Sequence, residues 1–182
     1  STQVDELGEL ETPILLTCTL CVWKAADAMA AWMLEQPDMQ QVRSINPVVG
    51  ETNDGDLNDI RARPITADAV RKALEGASTG PVEEGSVGAG TGTIAFGWKG
   101  GIGTSSRVVK PYSGSTHTVG VLVMTNFGSR PRLSIDGVPV GREIADLMPQ
   151  EHREGSCIVV LATDAPLTAR QCERMAKRCA LG

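Results

Sequence analysis

Gln150-Glu-His-Arg-Glu-Gly155 runs straight into Ser156-Cys-Ile-Val-Val-Leu-Ala162. The first stretch is polar and predicts an exposed segment, with residues 149–155 outside any regular element. The second is a continuous apolar run of strand-forming residues opened by a hydroxyl, which predicts a fully buried strand. Cleavage of the Gly155–Ser156 bond would leave Ser156 with a free α-amine at the mouth of that strand. An α-amine has a pKa of roughly 8, so it can serve as the base for its own hydroxyl without a histidine. Gly155 has no side chain to obstruct attack on its carbonyl. Taken alone, a Gly-Ser pair before a strand is a common structural junction, so the rest of the chain must decide.

Working outward, residues 116–125 (Thr-His-Thr-Val-Gly-Val-Leu-Val-Met-Thr) carry the strongest strand pattern, ended by Asn126-Phe-Gly128. Asp136-Gly137 between short apolar runs signals a hairpin turn. Residues 168–181 predict an amphipathic helix with Cys172, Met175, Ala176 and Cys179 on one stripe. Towards the N-terminus, residues 13–17 predict a short buried strand and Val22–Leu34 an alanine-rich helix, with Pro37 just beyond it. Residues 46–59 are rich in Asn, Asp, Gly and Pro and read as a loop. Thr66 caps a short helix, Ala67–Glu75, that Gly76 ends. Residues 93–98 read as a strand, and 99–107 as a turn with a polar tail. Strands and helices are mixed, so the fold class is α+β. No internal repeat and no domain boundary is evident, and residues 1–182 read as one domain.

The chain has 182 residues, 20 glycines and only 3% aromatics. Its core must rest on Val, Ile, Leu, Ala and Met. A net charge of −5 gives no general attraction to nucleic acid or anionic membrane. No apolar run approaches the ~20 residues of a membrane span, and residues 1–11 are too polar for a signal peptide. Compartment stays open. Five cysteines do not read as a disulfide scaffold. His117 and His152 are the whole histidine complement, which limits any histidine-based mechanism.

Other candidate chemistry competes. Cys18-Thr-Leu-Cys21 lies between a strand and a helix, where a helix N-terminus lowers a thiol pKa. That is a redox-site context, or else a pair of small buried cysteines. It lacks the ligands of a zinc site. Glu51-Thr-Asn-Asp-Gly-Asp-Leu-Asn-Asp59 resembles part of a calcium loop but lacks the spacing, and reads as a solvated acidic loop. Gly85-Ser-Val-Gly-Ala-Gly-Thr-Gly92 lacks the full dinucleotide spacing and reads as structural turns. No cofactor and no metal is called for.

Taken together, the segments carry more than any one alone. Gly50-Glu-Thr-Asn-Asp-Gly55, Val87-Gly-Ala-Gly-Thr-Gly92, Lys99-Gly-Gly-Ile-Gly-Thr-Ser-Ser-Arg107, Thr118-Val-Gly-Val-Leu-Val123, Asn126-Phe-Gly128 and Gly155-Ser156, followed by Val159-Val-Leu-Ala-Thr-Asp-Ala-Pro-Leu167, occur in this order. The order and wording resemble the L-aminopeptidase/D-Ala-esterase/amidase family, which includes the β-peptidyl aminopeptidases. The resemblance implies a layered αββα sandwich shared with ornithine acetyltransferases. It implies a precursor cut before a serine, with residues 1–155 in one subunit and 156–182 opening the other. By it, Ser156 is the nucleophile, Gly155 the residue before the cut and Asn126 the amide that supports the oxyanion. The implied reaction is acyl transfer from an N-terminal residue of a small peptide, amide or ester. The implied assembly is a homo-oligomer of processed heterodimers.

The sequence also departs from that pattern. Asp56 stands where the family has a tyrosine that helps the active site. Cys18, Cys21 and Trp23 stand where asparagine, serine and glycine are expected. Family members continue beyond residue 182 into a segment bearing a further serine and an acid, and carry more sequence before Ser1. Two alternatives therefore stand beside the enzyme: an inactive or truncated member acting as a binding module, and a thiol redox protein using Cys18 and Cys21.

Overall fold

In the computed structural model, residues 2–111, 114–144 and 155–181 are described. They fall into two compact units, Ser1–Pro81 and Val82–Gly182. The expected exposed segment 149–155 lies outside the described residues except for Gly155, and His152 lies outside them too.

In the first unit, the short helix α1 (Thr2–Leu7) precedes β1 (Ile14–Cys18), helix α2 (Val22–Leu34), β2 (Val48–Thr52) and helix α3 (Ala67–Glu75). β1 and β2 pair in parallel, from Ile14 opposite Val48 to Cys18 opposite Thr52. A parallel pair needs a crossover, and α2 supplies it. One stripe of α2 (Ala25, Ala28, Met29 and Met33) packs with Val70 of α3 to form the buried core of the unit, flanked by Leu15 and Val49 from the strands. Thr66 caps α3 as expected, its Oγ1 accepting from the Ala69 N–H at 3.2 Å. The loop expected over 46–59 is corrected at its start. Val48–Thr52 is a strand because parallel pairing with β1 satisfies its backbone, whatever its Gly and Thr content suggests.

In the second unit, two-residue strands β3 (Ile94–Ala95) and β4 (Trp98–Lys99) form a tight hairpin. The strand expected over 93–98 is therefore broken in the middle, where Phe96 and Gly97 both take positive φ. That pair of dihedral signs is the two-residue turn matching sheet twist. A second such turn, Asp136-Gly137, falls where the sequence placed it, with an isolated bridge between Ile135 and Val138. Strands β5 (Gly101–Val109), β6 (His117–Asn126) and β7 (Ser156–Thr163) make an antiparallel sheet with β6 central. The short helix α4 (Val140–Glu143) and the amphipathic helix α5 (Ala169–Arg178) complete the unit.

Two expectations are corrected here. The stretch 99–107, expected as a turn with a polar tail, is strand from residue 101 on and makes most of β5, whose nine residues all pair with β6. β7 is not fully buried. None of its residues is fully buried; half-buried and exposed positions alternate from Ser156 to Val160, and the alternation breaks at Leu161. α5 begins with Thr168 and Gln171 capping each other's backbone.

Candidate active site

Asn126 is the last residue of β6 and Ser156 the first of β7, and the two are directly paired across the strands. Antiparallel pairing thus brings together side chains that are 30 residues apart in the chain. Asn126 is 2% exposed, so its amide sits in a water-poor place where its orientation is fixed. Its Oδ1 accepts from the Ile94 N–H at 2.9 Å. Its Nδ2 donates to Ser156 Oγ at 3.4 Å. The Ile94 N–H can only donate, so the end of the amide facing it must be oxygen. The NH2 end is thereby turned towards the serine.

Gly155 is packed against the same strand end. A Cβ built there would stand 2.6 Å from Phe127 Cα and 2.6 Å from Phe127 Cβ. Only glycine fits before the serine, and the reason is the neighbouring chain rather than attack on the carbonyl alone. Phe127 is itself held: its carbonyl accepts from the Phe96 N–H at 2.9 Å, and the two rings lie 5.2 Å apart in a tilted contact.

Among the described residues, no histidine stands at this end of the sheet. His117 begins the ten-residue strand that Asn126 ends. At about 3.3 Å per residue the two are about 30 Å apart. His117 Nδ1 lies instead 3.6 Å from Asp164 Oδ1.

The structure thus brings Asn126, Gly155 and Ser156 to one spot. Asp56 belongs to the first unit, exposed in the loop after β2. The buried carboxylate of that loop is Asp54, 7% exposed, whose Oδ2 accepts from Asn58 Nδ2 at 2.6 Å. Sequence reading had not distinguished it from its neighbours.

Cys18 and Cys21 are both buried free thiols. Of the two readings of this pair, the lowered thiol pKa is not found at Cys18. Burial raises Cys18 to about 11, with further contributions from the Cys21 thiol and the Asp54 carboxylate. The position of Cys18 ahead of α2 does not offset the loss of water. A thiol held protonated is a poor nucleophile, which weighs against a redox role for Cys18.

A family model described as Peptidase family S58 matches residues 1–182. The chain belongs to that family. This S58 member is 45% identical over 194 residues to the beta-peptidyl aminopeptidase BapA of Sphingosinicella xenopeptidilytica, covering 98% of the chain and 48% of that enzyme. Among solved structures, a Burkholderia sp. beta-aminopeptidase superposes with a TM-score of 0.90 at 43% identity, covering 98% of the chain and 49% of that protein. The L-aminopeptidase D-Ala-esterase/amidase of Ochrobactrum anthropi superposes with a TM-score of 0.81 at 43% identity, over 91% of the chain and 46% of its own. That protein is described as a prototype of the serine aminopeptidases and a variant of the Ntn hydrolase fold. The S58 chain spans about half the length of the curated relatives it matches. Its mixed fold is that of these aminopeptidases, as the ordered motifs implied.

Proposed function

We propose that this chain is the part of a serine aminopeptidase or amidase that contains its self-cleavage site, and that Ser156 is the nucleophile. The observation that carries the reading is the Asn126 amide directed at Ser156 Oγ from a paired strand, with Gly155 wedged beside Phe127. In maturation, Ser156 Oγ attacks the Gly155 carbonyl and the scissile nitrogen takes a proton, leaving an ester. The released nitrogen is the Ser156 α-amine, and water then cleaves the ester, releasing residues 1–155 and restoring the Ser156 hydroxyl. The β6–β7 ladder runs from Asn126 opposite Ser156 to Val119 opposite Thr163. Those backbone bonds hold the two pieces together after the cut.

In turnover, the freed α-amine takes the Ser156 hydroxyl proton while Oγ attacks the carbonyl of a substrate's N-terminal residue. Negative charge develops on the carbonyl oxygen, and Asn126 Nδ2 donates to it. The amine or alcohol leaves with a proton, and water releases the acyl group. The substrate class is a small peptide, amide or ester with a free N-terminus. Assembly of the processed pair into homo-oligomers is part of the same proposal.

Denaturing mass spectrometry tests the first step. Two fragments, ending at Gly155 and beginning at Ser156, are expected from wild type, and an intact chain from Ser156→Ala. An intact wild-type complete gene product would sink the self-cleavage reading. A competing reading, a family member without activity, draws on Asp56, an exposed acid where a tyrosine is expected. Turnover of amino-acid p-nitroanilides that disappears in Ser156→Ala overturns that alternative.

A further inference from the structure

Among the described residues, the backbone N–H of Ile94 donates to Asn126 Oδ1. The same planar peptide carries the Thr93 carbonyl at its other end. That carbonyl accepts from Lys99 Nζ at 3.1 Å and from the Gly100 N–H at 2.8 Å. Lys99 Nζ also donates to the Gly90 carbonyl at 2.8 Å and the Gly100 carbonyl at 2.9 Å. All three ammonium protons therefore have backbone acceptors. A surface lysine ordinarily keeps its head group in water. This one turns back onto its own loop, and among the described residues its charge is met by carbonyl dipoles and no carboxylate.

We propose that Lys99 is a positioning residue for the oxyanion donor: its ammonium holds the Thr93–Ile94 peptide, whose N–H fixes Asn126 Oδ1 and so presents Nδ2 to the reaction at Ser156. The chain of contacts is continuous. The ammonium binds a carbonyl, the N–H of that peptide binds the amide oxygen, and the amide NH2 faces Ser156 Oγ. A cation on the carbonyl polarises the peptide and makes its N–H a stronger donor. That in turn polarises the Asn126 amide in the same sense, since hydrogen bonds in series reinforce one another. Thr93 is fully buried, and its Oγ1 donates to the same Gly90 carbonyl at 3.1 Å, so the loop has little freedom to reorient if the ammonium is kept. Lys99 touches no reacting atom and acts only through Asn126.

The inference rests on the proposed roles of Ser156 and Asn126, and a double-mutant cycle separates its failure from theirs. The complete gene product is prepared as wild type, Lys99→Met, Asn126→Ala and the double variant. Rates on an amino-acid p-nitroanilide are normalised to the fraction cleaved before Ser156, read by mass spectrometry. Lys99→Met is expected to lower kcat about tenfold, the size of a coupling within one hydrogen-bond network, with KM unchanged. In the Asn126→Ala background the same change is expected to cost nothing further, because the amide it orients is gone. Equal losses in both backgrounds overturn the relay while leaving Asn126 and Ser156 in their roles. A silent Asn126→Ala with a dead Ser156→Ala overturns the relay together with the oxyanion role. Lys99→Gln, neutral but still a donor, replaces Lys99→Met if the latter does not fold. If neither neutral variant folds, the lysine is a determinant of the fold and the proposal falls.

Discussion

At the scale of single residues, Asn126 and Gly155 make opposite demands on substitution. The role proposed for Asn126 works through the donor at Nδ2, so Asn126→Ala is expected to lower kcat about 10²- to 10³-fold, the usual consequence of losing one oxyanion donor. Asn126→Asp is the sharper variant. It keeps the size and the Oδ1 that accepts from the Ile94 N–H, but replaces the donor with an acceptor bearing charge. It should be at least as slow as alanine in steady-state assays on p-nitroanilides. An aspartate variant that retains wild-type kcat removes Asn126 from the mechanism. Gly155 works through absence of a side chain. Gly155→Ala places a methyl 2.6 Å from Phe127, and overpacking against backbone costs typically about 1–3 kcal/mol. The expected result is a lower Tm together with slower cleavage before Ser156. Normal cleavage in a fully stable Gly155→Ala would show that Phe127 yields and that the close approach is not a constraint.

At the scale of elements, the legible features were those written in local pattern. Val22–Leu34 and Ala67–Glu75 are helices over the spans that apolar spacing, Thr66 and Gly76 implied. β6 and β7 follow from their runs of Val, Leu and Ile. β2 and β5 were not legible, because their strand state is a property of their partners. Gly101-Ile-Gly-Thr-Ser-Ser has poor intrinsic strand preference, yet β6 lies alongside and pairs with all of it. The glycines there answer a steric need that only the fold reveals. A Cβ on Gly101 would stand 2.5 Å from the Gly85 carbonyl oxygen, while Gly85 and Ile102 exchange backbone bonds of 2.7 and 3.0 Å. The glycine-rich stretch is thus a device for close backbone approach beside the strand that leads to the site. The candidate site was half legible for the same reason. Ser156 and Asn126 were visible in motifs, but the Ile94 N–H carries no side-chain signature. At α5 the local signal suffices for a prediction. Thr168 accepts from the Gln171 N–H while Gln171 accepts from the Thr168 N–H. Thr168→Ala should therefore destabilise the protein by about 1 kcal/mol, seen as a lower denaturant midpoint with an unchanged m-value. An unaltered midpoint would mean that the box contributes nothing.

At the scale of the whole molecule, activity and stability are expected to respond to pH in opposite directions, the first around pH 8 and the second from about pH 9 to 11. The base proposed for catalysis is the Ser156 α-amine, which must be neutral to accept a proton. Activity should therefore rise with pH through roughly 8. Stability is set against this by Cys18. An unburied thiol ionises near 9, and burial moves Cys18 to about 11. Between those values the folded chain keeps a proton that the unfolded chain has lost. Folding then binds protons, so the free energy of unfolding falls as pH rises. The contribution is fully present below pH 9 and is lost through about pH 11, at most about 2–3 kcal/mol for a shift of this size. Cys18 is 9% exposed, so solvent screening reduces that figure only modestly. Urea unfolding at a series of pH values from 8 to 11 measures the effect. Wild type is expected to lose stability more steeply than Cys18→Ala, which has no thiol to ionise, even though the variant starts lower at pH 8 from its lost packing. The two curves should converge as pH approaches 11. Parallel curves would show that the thiol is not held protonated by the fold. Convergence would place the useful pH window between the pKa of the proposed base and the ionisation of Cys18, a residue outside the proposed mechanism.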